Sequence, residues 1–243
     1  MAWVGILGLV RLRLIGLSLF TIFVIVVYGW RSPAVDLSIP FHPHPLPPSL
    51  EQWQDPTDSG DYFDQIAPPR FGHLVWSSFP VRVYIESPTD PGAENWRDLV
   101  LDAVMDWNPY LPIEVIEDSD RAEIQIFRRR PPLQPGNLRA SSAEARYQLF
   151  KAITGKDSYI LGHRFTIWLS PTQSGKYITA ATRHEFGHAL GIWGHSPMET
   201  DVMYYSQVRE PPPISPRDVN TLRRIYEQPT QLGWLNVRAQ EPE

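Results

Sequence analysis

Three neighbouring side chains in this sequence can do chemistry together: His184, Glu185 and His188. On a helix, residues four apart lie on one face, so the two imidazoles can reach a single metal ion while Glu185 points to the adjoining sector. A bound metal activates water, and a carboxylate beside it can move the proton. The spacing therefore predicts a metal-dependent hydrolytic site on a helix.

Such a metal needs a third protein ligand. Zinc prefers a tetrahedral shell, and catalytic sites supply three protein ligands and leave the fourth position for water. Gly191 can adopt the left-handed conformation that ends a helix and turns the chain back, and His195 follows shortly after it. We predict that His184, His188 and His195 bind one Zn²⁺, with Asp201 as the alternative third ligand.

The string HEFGHALGIWGHS, followed by DVMYY, resembles the metzincin zinc peptidases and is most similar to the matrixin branch. The matrixin pattern is H-E-x-x-H-x-x-G-x-x-H with a later Met-turn. Here Gly194 stands in the place of the third histidine, and His195 comes one residue later. We interpret this as one inserted residue within 192–194, where Gly194 permits a bulge. The specific part of the resemblance spans residues 182–205.

The resemblance implies a zinc-dependent endopeptidase that hydrolyses peptide bonds of exported proteins or peptides. Glu185 would activate the zinc-bound water as general base and then protonate the leaving amine. Met203 would form the Met-turn, which packs beneath the metal without ligating it. The Asp- and His-rich loop that holds structural calcium and a second zinc in animal matrixins is missing around His163. We therefore expect one catalytic zinc and neither of those additional ions.

Tyr205 has two interpretations. It stands two residues after Met203, where the astacin and serralysin branches carry a tyrosine that can reach the zinc and matrixins usually carry proline. Its phenol would then be a labile fifth ligand or an oxyanion donor. Alternatively, the ring lines the substrate pocket.

The elements that position these residues follow from periodicity. Alternation predicts strands at 81–86, 113–116, 122–127 and 165–169, and helical spacing predicts helices over 96–107 and 177–190. Residues 143–149 alternate as well and fit either helix or strand. A last helix starts at Ser215 with Pro216 at its first position and stops before Pro229.

This order predicts an α/β (α+β) fold with a twisted, mostly parallel sheet. By resemblance it is a metzincin-like catalytic domain with one antiparallel edge strand, an active-site helix and a C-terminal helix. Residues 143–149 would be that edge strand, which pairs with an extended polypeptide substrate. We place the zinc peptidase domain at residues 70–228, with a C-terminal tail at 229–243.

The first thirty residues have a composition typical of a membrane-spanning segment. Residues 14–30 are uncharged and mostly apolar, and Arg11 and Arg13 precede them. We predict a cytoplasmic tip and transmembrane signal anchor at 1–31 and a Pro-rich spacer at 32–69. The protein would then be a single-pass membrane protein, its N-terminus cytoplasmic and its catalytic domain extracytoplasmic. Cleavage of the segment would instead give a secreted protein.

The net charge and the absence of cysteine limit the functions that fit this sequence. The 243 residues carry a net charge of −5, which gives no support for a nucleic-acid partner. The chain has no cysteine, so disulfides and cysteine-based latency are excluded.

The alternative to an endopeptidase is a catalytically inactive zinc- or peptide-binding module anchored to the membrane. A zinc hydrolase for a non-peptide amide is a third possibility, which the edge strand disfavours.

Overall fold

The structure is a computed structural model that describes residues 40–133 and 141–237. Its helices, in chain order, are α1 (Pro48–Glu51), α2 (Trp96–Met105), α3 (Lys176–Leu190) and α4 (Pro216–Tyr226). Its strands are β1 (Val81–Ile85), β2 (Ile113–Ile116), β3 (Ile124–Phe127), β4 (Ala143–Gly155), β5 (Ser158–Leu169) and β6 (Leu235–Val237). Short 3₁₀ turns lie at Phe63–Gln65 and Ser119–Arg121.

The strands form one sheet in the order β2-β1-β3-β5-β4, and β6 pairs with the start of β5. β1 runs parallel to β2 and to β3, and β3 runs parallel to β5. β4 runs antiparallel to β5 along its length, from Ala143 opposite Leu169 to Gly155 opposite Ser158. The predicted α/β fold with a mostly parallel sheet is confirmed. Residues 143–149, for which helix and strand were both open, lie in a strand.

Burial follows the periodicity of the sequence. Val81, Val83 and Ile85 of β1 are buried and alternate with half-exposed neighbours, which is the pattern of a strand with one face on the core. α2 buries one face, including Val100 and Val104, and packs mainly against α3. α4 begins as predicted, with Ser215 and Asp218 forming a capping box and Pro216 in the first turn.

Two segments outside residues 70–228 pack into the same core. Leu50 is fully buried, and the Tyr62 hydroxyl donates to Asp218 at 2.6 Å. At the other end, the backbone of Thr230 pairs with that of His42. Residues 40–69 and 229–237 therefore share the core with the predicted peptidase domain. Their apolar residues are buried singly, so they leave no periodic signal in the sequence.

The described helices contradict the predicted single-pass membrane localisation. Within residues 40–133 and 141–237, no helix has both the length and the apolar character needed to cross a bilayer. The longest, α3, has 15 residues, whereas a membrane span takes about 20. The predicted transmembrane segment at 1–31 lies outside the described residues, as do the first part of the predicted spacer and the end of the tail.

Candidate metal centre

α3 carries three of the predicted site residues on a buried stretch. Its C-terminal half, from His184 to Leu190, is buried throughout. The helix ends at Gly191, whose φ of 130° lies in the region that favours glycine. A Cβ at Gly191 would also lie 2.7 Å from the carbonyl oxygen of Leu74. The predicted glycine turn is thus confirmed, and it sends the chain back toward the helix.

That turn brings the three predicted metal ligands together. One ligand atom each from His184, His188 and His195 lies within 4.8 Å of the others. The rings of His184 and His195 face each other with centroids 5.2 Å apart, and the ring of His188 stands nearly perpendicular to both. The cluster combines two residues of one helix with one residue of the following loop. It is close enough to hold a metal ion.

Hydrogen bonds to main-chain carbonyls select which ring nitrogen faces the cluster. The Nδ1–H of His184 donates to Val202 O at 2.9 Å, and that of His188 donates to Ile192 O at 2.7 Å. A carbonyl can only accept, so the proton lies on Nδ1 and the lone pair lies on Nε2, the nitrogen with which such a ring binds a metal.

Burial keeps the three rings neutral. It lowers the pKa of His184 to about 3 and that of His195 to about 4, and it holds the pKa of His188 well below 6.5. Proximity of the other histidines lowers the pKa values of His184 and His188 further. Neutral imidazole is the form that binds a metal.

The donor set fits a metal cation. The Nε2 atoms of His188 and His195 are buried, and neither has a hydrogen-bond partner among the described residues. A buried polar atom left without a partner is costly. A cation between these nitrogens would satisfy both of them.

Asp201, the alternative third ligand, is used elsewhere. Its carboxylate accepts hydrogen bonds from the hydroxyls of Ser196 and Ser215 and forms an ion pair with Arg217 at 3.1 Å. Asp201 is 1% exposed and lies outside the histidine cluster. His195 therefore completes the cluster in spite of its shifted spacing.

Glu185 lies beside the cluster with its carboxyl group buried. Burial raises the pKa of Glu185 to about 8, and the nearby Glu144 raises it further, whereas a hydrogen bond from the Ala145 N–H lowers it. A divalent cation on the adjacent histidines would favour the carboxylate form. The Ala145 contact links the carboxyl group to strand β4. Sequence reasoning missed this contact because a backbone N–H leaves no residue-type signal.

Met203 lies beneath α3. It is fully buried, and its Sδ lies against Gly187, where an added Cβ would overlap it. The N–H groups of Val202 and Met203 both point to the carboxylate of Asp218, at 3.0 and 3.4 Å. Nothing in the sequence indicated that Asp218, in the first turn of α4, holds the Met203 turn.

Tyr205 lies at the surface. It is 47% exposed, its ring packs on that of Tyr204 at 4.4 Å, and the two hydroxyls are 3.2 Å apart.

Next to His184 lies a small apolar cavity of about 30 Å³. Its wall is formed by α3 and by residues between 201 and 212, including Val202, Tyr204 and Val208.

Neither a protein-family model nor a curated protein matches this chain. The functional assignment therefore rests on the residues and their geometry.

Proposed function

We propose that this chain is a metzincin-like zinc endopeptidase. The observation that carries the proposal is the position of Glu185. This residue lies between His184 and His188 in the sequence, and its buried carboxyl group accepts a hydrogen bond from Ala145 of the edge strand β4. A site built only to bind a metal has no need for a buried carboxylate there, because burying a carboxyl group is costly.

Zinc suits the donor set, because three neutral imidazoles are a known ligand set of catalytic zinc. When bound, zinc supplies a Lewis acid that lowers the pKa of water and polarises a carbonyl group. His184, His188 and His195 would hold it. The buried walls around the cluster, including Trp193 and Met203, would keep the site dry and so strengthen its electrostatic interactions.

Glu185 moves the protons in the proposed reaction. Its carboxylate takes a proton from the attacking water and later delivers it to the leaving amine, as a general base and then a general acid. The N–H of Ala145 donates to the carboxyl group and keeps it in one orientation. The proton carrier is thereby fixed relative to β4.

β4 offers the polypeptide a place to bind. It is the edge strand of the sheet, and its residue Ala145 contacts Glu185. A peptide that added to this edge would pair through its backbone, independently of its side chains. The cavity beside His184 would take one substrate side chain. Its volume of about 30 Å³ leaves room for roughly two or three water molecules, so we expect small aliphatic side chains to bind best.

The decisive variant is Glu185→Gln, which keeps the size of the side chain and removes its ability to accept a proton. We expect the variant to bind zinc as the wild type does and to cleave a denatured protein about 10²- to 10⁴-fold more slowly. Bound metal is measured by elemental analysis and cleavage by the release of new amino termini. Glu199→Gln, an exposed carboxylate in the same region, is the matched control and should cleave normally.

Two results would count against the proposal. Equal cleavage by wild type and Glu185→Gln would remove Glu185 from the reaction. A zinc-loaded wild type that cleaves no protein would favour the inactive zinc- or peptide-binding module instead.

A further inference from the structure

The residues on both sides of His195 are paired through their backbones. Gly194, which precedes it, forms an antiparallel bridge with Ile66. Ser196, which follows it, forms a parallel bridge with Tyr204, and its N–H donates to Met203 O at 2.8 Å. His184 and His188 sit on a helix and are further oriented through their rings. For His195, the backbone pairings of Gly194 and Ser196 restrain the position of its own backbone.

Gly194 is packed tightly against the chain at Gln65 and Ile66. A Cβ at Gly194 would lie 2.5 Å from Gln65 O and 2.9 Å from the Cδ1 of Ile66. The close approach is therefore to a backbone atom as well as to a side chain, and a backbone atom cannot rotate away. Ile66 is 7% exposed, so this contact is shielded from water.

The chain at Gln65 and Ile66 is held in place by contacts of the preceding residues with helix α4. Just before it, the Tyr62 hydroxyl donates to the buried Asp218 at 2.6 Å. Arg217 donates to the carbonyl oxygens of Ser59 and Asp61, at 3.0 and 3.2 Å. These anchors all belong to helix α4. Ile66 therefore pairs with Gly194 from a fixed position.

We propose that the backbone at Gln65 and Ile66 is a positioning element for the metal site. It fixes the loop at residues 192–194 so that His195 reaches the cluster. Pairing on one side only would leave the loop free to swing about Ser196. With both neighbours of His195 paired, the ring is directed toward His184 and His188. The inference rests on the proposed metal site but not on peptidase activity.

Gly194→Ala tests the contact directly. The added methyl group must push Gln65 and Ile66 away from the loop and so move His195. We expect the Kd for Zn²⁺, measured by competition with a chromophoric chelator, to rise about 10- to 100-fold, as for other residues that orient metal ligands. Co²⁺ in place of zinc should give a visible spectrum that differs from that of the wild type. Gly155→Ala, in the β4–β5 hairpin, meets only the Ser158 side chain and is the matched control.

A second pair of variants separates positioning from general loss of stability. Ile66→Ala removes the side chain that covers Gly194, and Ile124→Ala removes a buried isoleucine from the middle of the sheet. Both should lower the temperature of unfolding of the metal-free protein. Only Ile66→Ala should weaken zinc binding, measured at a temperature at which all the metal-free proteins are folded.

Three outcomes decide the matter. Wild-type zinc affinity in both Gly194→Ala and Ile66→Ala would overturn the inference, and so would equal weakening by Ile124→Ala. Weakened zinc binding in the two former variants alone would support it. Failure of the metal-loaded wild type to cleave protein would contradict the proposed function while leaving these affinity differences as they are.

Discussion

The hydroxyl of Tyr205 lies 3.2 Å from that of Tyr204, and Tyr204 lines the cavity that flanks His184. If Tyr205 donates to the oxyanion in the transition state, Tyr205→Phe should lower kcat by about 10²- to 10³-fold with little loss of bound zinc. Steady-state kinetics together with metal analysis test this. Tyr204→Phe, which removes the neighbouring hydroxyl, should leave kcat within a few fold. Unchanged turnover in Tyr205→Phe would exclude the Tyr205 hydroxyl from the reaction.

A buried histidine outside the metal centre makes stability depend on pH. His163 is 4% exposed and stacks on Trp76 at 3.9 Å, and burial lowers its pKa to about 3. The unfolded chain, with an ordinary histidine pKa near 6.5, takes up the proton first as the pH falls. The folded state therefore loses stability below pH 6.5 and continues to lose it until the folded pKa is reached.

His163→Phe should remove this acid sensitivity. From 1.36 kcal/mol per pH unit, the wild type should lose about 2.7 kcal/mol more than the variant between pH 7 and pH 4.5. Urea unfolding with a chelator present measures both proteins without metal. All other histidines are shared, so their contributions cancel. Parallel stability profiles would show that His163 does not titrate in this way.

At the scale of elements, helix α4 connects the N-terminal segment with the Met203 turn. Its residue Asp218 is fully buried and accepts hydrogen bonds from Tyr62, from Ser215 and from the backbone of Val202. Burial raises the pKa of Asp218, although these hydrogen bonds counteract the shift. One carboxylate thus fixes the helix N-terminus, the turn beneath the metal and a distant part of the chain.

Tyr62→Phe removes one donor from that carboxylate. We expect the free energy of unfolding to fall by about 1.5–3 kcal/mol, the usual range for a hydrogen bond to a charged group. Chemical unfolding of the metal-free protein is the measurement. Tyr84→Phe, at a half-buried position in β1, should cost less than about 0.5 kcal/mol. A similar loss in both variants would mean that Asp218 does not depend on the Tyr62 hydroxyl.

The sequence predicted those elements whose signal is local. The spacing of His184 and His188, the glycine at 191 and the cap at Ser215 all act within a few residues, so they could be read directly. The contacts of Glu185 with Ala145 and of Gly194 with Ile66 join residues far apart in the chain. Tertiary packing decides such contacts, and no periodicity encodes them.

Strand ends were harder to predict for a related reason. β5 starts at Ser158, earlier than the predicted residue 165, because its first half pairs with the extended β4 in a hairpin. β6 has three residues, which is too short for a pattern of alternation. It is a strand only because it pairs with the first residues of β5.

At the scale of the whole molecule, residues 40–69 and 229–237 complete the core. A protein limited to residues 70–228 would expose the surfaces that Leu50, Tyr62 and Leu232 cover. We expect it to lack cooperative unfolding and dispersed amide NMR signals, whereas residues 40–237 should show both. Cooperative unfolding of the shorter protein would show that the flanking segments are dispensable.

The pairing of His42 with Thr230, and the stacking of His44 on Trp234 at 4.2 Å, place the two ends of the described chain side by side. A short linker should therefore be able to join residue 237 to residue 40. New termini could then be opened at Lys156 and Asp157, in the exposed turn between β4 and β5. Such a circular permutant should retain the histidine cluster, because the order of the segments along the chain would change while their neighbours in space would not.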